Sequence, residues 1–480
     1  MKVDFLIFTG VGGETEESNG SSQKTWRSVG PSKIANRLRQ AGYTVQIINF
    51  ATHFNYIELK QIADQFVNQD TVIGVSTTFL YGNNLTQRKA TALEEMVAEY
   101  KSKYNCKVLL GGPSPEFYKD KFNPDIIIHG FAENKILEVA DKLKNNGISR
   151  KRVDQWDILT CNHKWHATDY IQKNETLPLE IGRGCIFSCK YCKFEYLGKK
   201  RGEYVRDFSL IKDELIENYE KYQVTNYLLM DDTFNDDVYK MEEWCKMVDS
   251  LPFSIKYTTY CRGDLLYRYQ DIARELYRTG MHGTTIGIES MNMKAAKIIG
   301  KTWSAKHARD FIPYWVHDIC KSKTLTQLNF IAGLPGDTLD DMWSWINWSK
   351  ENKIPTIRTN ALMITNPKFY PNEAAYSDFD LNAEEKYGYR FLNSRLPLAW
   401  ENDNMTWFDA KRANKEMWKY ISNNFSDSAW SGFAALSLNY SLDEILHMTD
   451  HELYNSEEYL KRNKLWFETY KQNFTEFVDD

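Results

Sequence analysis

LPLEIGRGCIFSCKYC spans residues 177–192 and joins two features that decide the architecture. LPLEIGRG (177–184) reads as a buried strand. It runs without a spacer into Cys185, Cys189 and Cys192, a C-x3-C-x2-C cluster. Gly182 and Gly184 let the backbone turn tightly just after the strand.

Downstream of this stretch, strands and helices alternate. Strands are expected at 225–232, 254–261, 282–289, 325–336 and 356–364, and helices at 208–222, 240–251, 270–280, 305–320 and 340–352. With 177–184 this makes six strand–helix repeats, consistent with a partial parallel (β/α)6 barrel over 177–364. In barrels of this kind the active site lies at the carboxyl ends of the strands. Upstream, residues 1–145 also alternate. Strands at 3–10, 43–50, 70–79, 106–112 and 125–130 are separated by helices at 31–42, 56–67 and 85–104, and a helix at 134–145 follows. That pattern predicts a doubly wound parallel sheet. The fold class is therefore α/β in both parts. Three strand ends in the first part carry polar or Gly-rich loops, at 10–30, 76–84 and 111–115, where a ligand is expected.

Residues 146–176 form a connector containing Trp156, Cys161, His163, Trp165 and His166. The C-x-H-x2-H spacing looks like metal ligands, but no fourth partner is close and two tryptophans interleave, so a structural role is expected. Residues 365–480 lose the alternation and read as helices rich in aromatics, among them Trp400, Trp407, Trp418, Trp430 and Trp466. This region is expected to be a helical cap, with some rings available to a substrate cavity.

Of 480 residues, 42% are hydrophobic and 26% charged, and the net charge is −5. The charge balance disfavours nucleic acid as a partner. MKVDFLIFTG has too few apolar residues for a signal-peptide core, and no stretch reaches the roughly 18 of a membrane span, so a cytoplasmic protein without a membrane partner is expected. In a reducing compartment a tight thiol cluster reads as metal-binding or catalytic. Cys106, Cys161, Cys245, Cys261 and Cys320 are scattered singly and read as small buried hydrophobes.

Three clustered thiols are one short of a structural zinc site or an electron-transfer cluster, each of which asks for four protein ligands. Three thiolates can hold three irons of a 4Fe-4S cube and leave the fourth iron open to an external ligand. Here the chain resembles the radical S-adenosylmethionine superfamily, in its branch with an N-terminal cobalamin-binding domain. The resemblance rests on the cysteine motif with Tyr191 before the last cysteine, and on LLMDDTFNDD (228–237), YCRGDLL (260–266), IGIES (286–290) and NFIAGLPGDT (329–338) in order. It covers the whole of 177–364. Residues 1–145 resemble the branch's Rossmann-like domain in strand order, in GGPSP (111–115) and in HGFAE (129–133), which departs from the branch's segment. The cobalt-coordinating D-x-H-x-x-G motif is absent, and 10–30 contains no histidine.

The resemblance implies a 4Fe-4S cluster on Cys185, Cys189 and Cys192, and S-adenosylmethionine bound at its open iron and cleaved to a 5′-deoxyadenosyl radical. It implies that Tyr191, Asp231, Asp232, Arg262, Glu289, Ser290, Asn329 and Gly333 contact cofactor. Arg262 would pair with the S-adenosylmethionine carboxylate, and Glu289 and Ser290 would hold its ribose or amino-acid end. An external electron donor such as a flavodoxin or ferredoxin is expected. The leading expectation is cobalamin-dependent methyl transfer to an unactivated carbon of a small-molecule or peptide substrate. Asp231, Asp232, Asn329, Arg358 and Asn360 are candidates to touch a polar substrate, and no catalytic side chain is assigned. The alternatives are a cobalamin-free radical enzyme performing cyclisation, rearrangement or oxidation, and a non-catalytic iron–sulfur protein. A methylthiotransferase is disfavoured, because the first domain shows no second cysteine cluster.

Overall fold

The structure is a computed structural model of the 480-residue chain. It describes residues 2–10, 25–78, 80, 91–112, 115–144, 155–193, 203–301, 303–368, 376–392 and 398–474. The chain divides into two compact units, one of 1–178, 214–224 and 454–480, the other of 179–213 and 225–453.

The first unit is built on a five-stranded sheet of β1 (Phe5–Thr9), β2 (Val45–Ile48), β3 (Val72–Ser76), β4 (Val108–Gly111) and β5 (Ile126–Ile128). The order is β2-β1-β3-β4-β5, and each pairing is parallel. This is the doubly wound arrangement expected from the alternation. Its strand order reverses between β1 and β3, which is where such sheets place ligands. Thr9, Gly10, Ser76, Thr77, Gly111 and Gly112 sit at or just beyond the ends of the three central strands. The expected ligand loops lie largely outside the described residues, which omit 11–24, 79, 81–90 and 113–114.

Arg27 anchors this unit. Its guanidinium is buried, pairs with Glu175 at 2.5 and 3.0 Å, donates to the carbonyls of Asp169 and Tyr170, and lies against the rings of Phe50 and Tyr470. The last helix, Glu457–Gln472, packs Trp466, Phe467 and Tyr470 edge-on to Phe50, so these aromatics serve the first unit's core. The connector residues have separate protein partners. Lys33 Nζ lies 3.6 Å from Cys161 Sγ, Asn36 Nδ2 lies 3.2 Å from His163 Nδ1, and His166 caps the short turn Ala167–Asp169.

A six-stranded sheet runs in sequential order, β6 (Thr176–Glu180), β7 (Asn226–Met230), β8 (Lys256–Cys261), β9 (Met281–Glu289), β10 (Leu325–Ala332) and β11 (Thr356–Ala361), and from Leu179 onward it belongs to the second unit. Pairings from β7 to β11 are parallel. The register places Tyr260, Thr285, Gln327, Asn329 and Arg358 on one face. The opposite face packs on helices, with Phe330 stacked on Trp345 and Trp315 Nε1 bonded to Thr326.

Helix Ala429–Ala435 packs on the first face. Ala429 N donates to Gln327 Oε1, and Trp430 stacks on Tyr260 at 4.8 Å. A Cβ on Gly283 would sit 2.8 Å from Phe433. These contacts cover the amino-terminal part of β9 and β10 and reach the end of β8 at Tyr260.

The expected helix at 305–320 is α-helical only over Ala305–Tyr314 and becomes π-helical over Trp315–Ile319. Pro313 lies inside it and offers no backbone donor, which breaks the regular ladder. Two helices absent from the sequence expectation, Gly263–Arg268 and Met293–Ile298, follow β8 and β9. The carboxyl-terminal region is helical, with a two-stranded pairing of Arg390–Phe391 and Trp400–Glu401 added. Among the described residues no helix is long and apolar enough to cross a membrane.

Candidate active site

The cysteine loop leaves β6 through a fixed backbone path. Ile181 N donates to Met230 O, Arg183 N to Tyr204 O, and Arg206 N to Ile181 O. A Cβ on Gly182 would lie 2.7 Å from Tyr204 O, so only glycine passes beneath that strand-like segment. Gly184, at φ 125°, turns the chain, and its N–H donates to Asp232 Oδ2 at 2.8 Å. Cys185 follows, buried, with Sγ 3.3 Å from Thr233 Oγ1 and accepting from Phe187 N. Cys189 and Cys192 are partly exposed, and Cys192 N donates to Cys189 O.

A single zinc ion would draw its ligand atoms to within ~2.0–2.3 Å of one point. Among the described residues no group of three or more His, Cys, Asp or Glu is so arranged. Thiolates on the corners of a cube do not need to converge, because each binds its own iron. The three thiols can each bind one iron of a polynuclear cluster, and the sequence supplies no other cysteine between Cys161 and Cys245 to close a fourth corner.

The two neighbouring aspartates at the end of β7 part ways. Asp231 meets Lys240 at 3.1 Å on the helix Val238–Asp249, and Lys240 also holds Asp236 at 2.6 Å. Burial pulls Lys240 down, but these two carboxylates hold it above the usual lysine range. Asp231 also orients Thr233, whose N–H it accepts at 3.0 Å, and so supports Cys185 from behind. Asp232 instead faces the cysteine loop through Gly184. Burial raises its carboxyl to about 6, against the hydrogen bond from Gly184, which lowers it.

Tyr191 reaches across to β9. Its hydroxyl donates to Glu289 Oε1 at 2.8 Å, and Lys301 Nζ approaches the same oxygen at 3.5 Å while donating to Gly287 O. Burial, then the Glu289 charge, keep the Tyr191 phenol well above the usual tyrosine range, so it stays a donor. Glu289 has φ 66°, a left-handed conformation rarely adopted outside glycine, and lies beside a register shift between β9 and β10. Such a conformation is uncommon for a glutamate, and here it falls at the end of a strand.

Ser290 Oγ donates to Asp337 Oδ1 at 2.9 Å and accepts from Asn292 N. Asp337 is fully buried, and its Oδ2 has no partner among the described residues. Burial pushes its carboxyl up to about 8; the Ser290 bond opposes this and the Asp341 charge adds to it. The native state thus keeps a proton that an unfolded chain releases near pH ~4. Between those values the folded form binds more protons, so this group makes stability fall as pH rises through that window and level off above about 8. Asp337→Asn is expected to lack this component, giving a flatter melting temperature between pH 5 and 8 than the wild-type chain. Parallel curves would contradict the assignment.

Gly333 follows β10 at φ 99°, and a Cβ there would lie 2.4 Å from Trp400. Its carbonyl accepts from Tyr389. Asn329 accepts from Gln327 Nε2 at 2.6 Å. Arg358 is committed to Asp427 at 3.0 Å and Asp450 at 3.4 Å, over the Trp418 ring, and Asn360 is exposed. The structure thus gathers Tyr191, Glu289, Arg262 and the cysteines, places Asp232 beside them, and turns Asp231 away.

Four residues of this region were not singled out by sequence: Asp264, Lys301, Trp303 and Asp337. With Gly287, Ser290 and others, the first three line a small cavity beside β9. Asp337 follows directly on Gly-Leu-Pro-Gly, which is the one sequence signal that points to it.

Residues 179–349 match the family model described as the Radical SAM superfamily. No curated protein matches the chain. Among solved structures, the radical S-adenosylmethionine methyltransferase TsrM from Kitasatospora setae, with cobalamin and a 4Fe-4S cluster bound, is similar at 13% identity and TM-score 0.56, over 76% of this chain and 76% of that one. The cobalamin-dependent S-adenosylmethionine radical enzyme OxsB, with aqua-cobalamin and S-adenosylmethionine bound, is similar at 13% identity and TM-score 0.52, over 98% of this chain and 71% of that one. At these identities the likeness concerns the fold.

Proposed function

We propose that this chain, a radical SAM protein by its residues 179–349 and built on the fold of cobalamin-dependent radical SAM enzymes, transfers a methyl group to an unactivated carbon of a small molecule or peptide. The observation that carries the radical part is the cysteine loop itself. Three thiols leave the first barrel strand together, with Arg262 on one of them and the Tyr191–Glu289 pair alongside. When bound, the cluster and S-adenosylmethionine supply a 5′-deoxyadenosyl radical that abstracts hydrogen.

The chain's own residues hold and shield. Gly182 and Gly184 set the loop, and Thr233 supports Cys185. Glu289, fixed by Tyr191 and Lys301, and Ser290, fixed by Asp337, present polar atoms at the end of β9 for the ribose or amino-acid end of S-adenosylmethionine. Helix Ala429–Ala435 packs its buried residues on the sheet face beside Gln327 and Gly283 and shields that part of it.

Support for cobalamin comes from the first unit. The β2-β1-β3-β4-β5 order puts a switch point beside β1 and β3, where sheets of this kind take ligands, and Thr9, Gly10, Ser76, Thr77, Gly111 and Gly112 stand at the strand ends there. Cobalamin there would supply the methyl carrier.

Anaerobic protein would be incubated with hydroxocobalamin, desalted and examined by visible spectroscopy. Reduction with S-adenosylmethionine, and with candidate acceptors, follows. Retained cobalamin, together with S-adenosylhomocysteine and 5′-deoxyadenosine, is the expected result. No retained cobalamin and 5′-deoxyadenosine alone would overturn the methyl-transfer reading in favour of a cobalamin-free radical reaction.

A further inference from the structure

Arg262 stands between the end of β8 and the helix Gly263–Arg268, and the sequence resemblance assigns it to the carboxylate of S-adenosylmethionine. The structure has its fork already filled. Nε donates to Asp264 Oδ1 at 3.0 Å and Nη2 to Asp264 Oδ2 at 2.7 Å, a bidentate pair. The remaining nitrogen, Nη1, donates to Cys189 Sγ at 3.7 Å. The guanidinium carbon lies over the Phe187 ring, 4.0 Å from its centroid, so a residue between Cys185 and Cys189 packs against it. Its backbone is pinned on both sides: Arg262 N donates to Asn235 Oδ1, and Arg262 O accepts from Asn235 Nδ2. The side chain is 8% exposed. Three separate partners thus fix one charged donor on one cluster thiol.

We propose that Arg262 is a positioning residue for the iron–sulfur cluster, whose Nη1–H bond to the Cys189 sulfur raises the cluster's reduction potential, with Asp264 orienting the guanidinium and offsetting part of its charge. The inference rests on the radical SAM reading of the cysteine loop. Reduction adds negative charge to the cluster and its sulfur ligands. A cation donating to one of those sulfurs stabilises the reduced form more than the oxidised one, and hydrogen bonds to the sulfurs are a recognised determinant of cluster potential. Burial strengthens the interaction, because little water competes for the donor. Asp264 acts in both senses. It locks the fork, and its negative charge reduces the effect, so removing that charge alone moves the potential up.

The test is a redox titration of the full-length, anaerobically reconstituted protein in the absence of S-adenosylmethionine, followed by the paramagnetic signal of the reduced cluster. Arg262→Gln is expected to lower the midpoint potential with iron and sulfide content unchanged. Asp264→Asn is expected to raise it. Arg262→Lys, a point charge without a fork, is expected to fall between wild type and Arg262→Gln. Equal midpoints for wild type and Arg262→Gln, accompanied by weaker S-adenosylmethionine binding, would overturn the proposal and return Arg262 to the substrate carboxylate. If Arg262→Gln does not retain the cluster, Asp264→Asn decides: a raised midpoint supports the proposal and an unchanged one overturns it. A wild-type chain that takes up no cluster overturns the functional reading itself, and the proposal with it.

Discussion

Replacing Cys189 with alanine is expected to abolish both the iron–sulfur cluster and S-adenosylmethionine cleavage. The loop offers three thiols and the sequence has no other between Cys161 and Cys245, so no neighbouring cysteine is at hand to take the vacant corner. A cube held by two thiolates would have two irons without a protein ligand, and bound S-adenosylmethionine would satisfy only one. Iron and sulfide would fall to background after reconstitution and desalting, and 5′-deoxyadenosine would drop below detection. Cys320→Ala serves as the control. Cys320 is buried and burial pushes its thiol up to about 12, so it behaves as a small core residue and its loss should leave the cluster intact. Retention of a full cluster by Cys189→Ala would contradict the assignment of the loop.

The second large effect is on stability. Lys240→Met is expected to destabilise the chain by about 3–5 kcal/mol, the cost of stripping one partner from a buried ion pair. Lys240 Nζ is the counter-charge for Asp231 and Asp236, and the side chains of all three are nearly inaccessible to water. Methionine fills the volume but leaves two carboxylates without their cation. Tyr204 donates to Asp236 and Thr233 N to Asp231, which satisfies some of their lone pairs but not their charge. Because Asp231 holds Thr233 and Thr233 touches Cys185, the loss should also loosen the cluster loop. Lys246→Met on the same helix removes only an exposed pair with Glu243 and should change stability by less than about 1 kcal/mol. Denaturant unfolding of both variants measures the difference. Similar values would mean that Lys240 is not the counter-charge described.

The strand–helix alternation was legible because each strand is a short apolar run and most helices are long enough to show their period. Helix Phe208–Tyr222 was read to the residue. What escaped was short. Helices Gly263–Arg268 and Met293–Ile298 have six residues each, fewer than two turns, and the paired strands at Arg390–Phe391 and Trp400–Glu401 have two. Such elements are fixed by tertiary contacts and by caps such as Asn292 rather than by periodicity.

The site was legible as a set of motifs but not in its orientation. Asp231 and Asp232 follow directly on β7, and the sequence does not tell which way either turns once the strand has ended. Which one meets the cysteine loop is decided by contacts from elsewhere in the chain: Gly184 N–H bonds Asp232, and Lys240 takes Asp231. Arg262 is the same lesson at closer range. Its motif suggests a carboxylate partner, but Asp264, two residues on, supplies one from the chain itself. Arg358 likewise finds its charges met by Asp427 and Asp450. Sequence spacing shows that charges are present; only the fold shows which are already spent on each other.

The measurement closest to the central claim is the fate of S-adenosylmethionine on the wild-type chain. The protein would be reconstituted anaerobically with iron and sulfide, desalted, reduced and incubated with S-adenosylmethionine, and the products separated. The account predicts 5′-deoxyadenosine that depends on both reduction and Cys185, Cys189 and Cys192. A fully loaded cluster that yields none, with intact S-adenosylmethionine recovered, would contradict it and leave an iron–sulfur protein without radical chemistry.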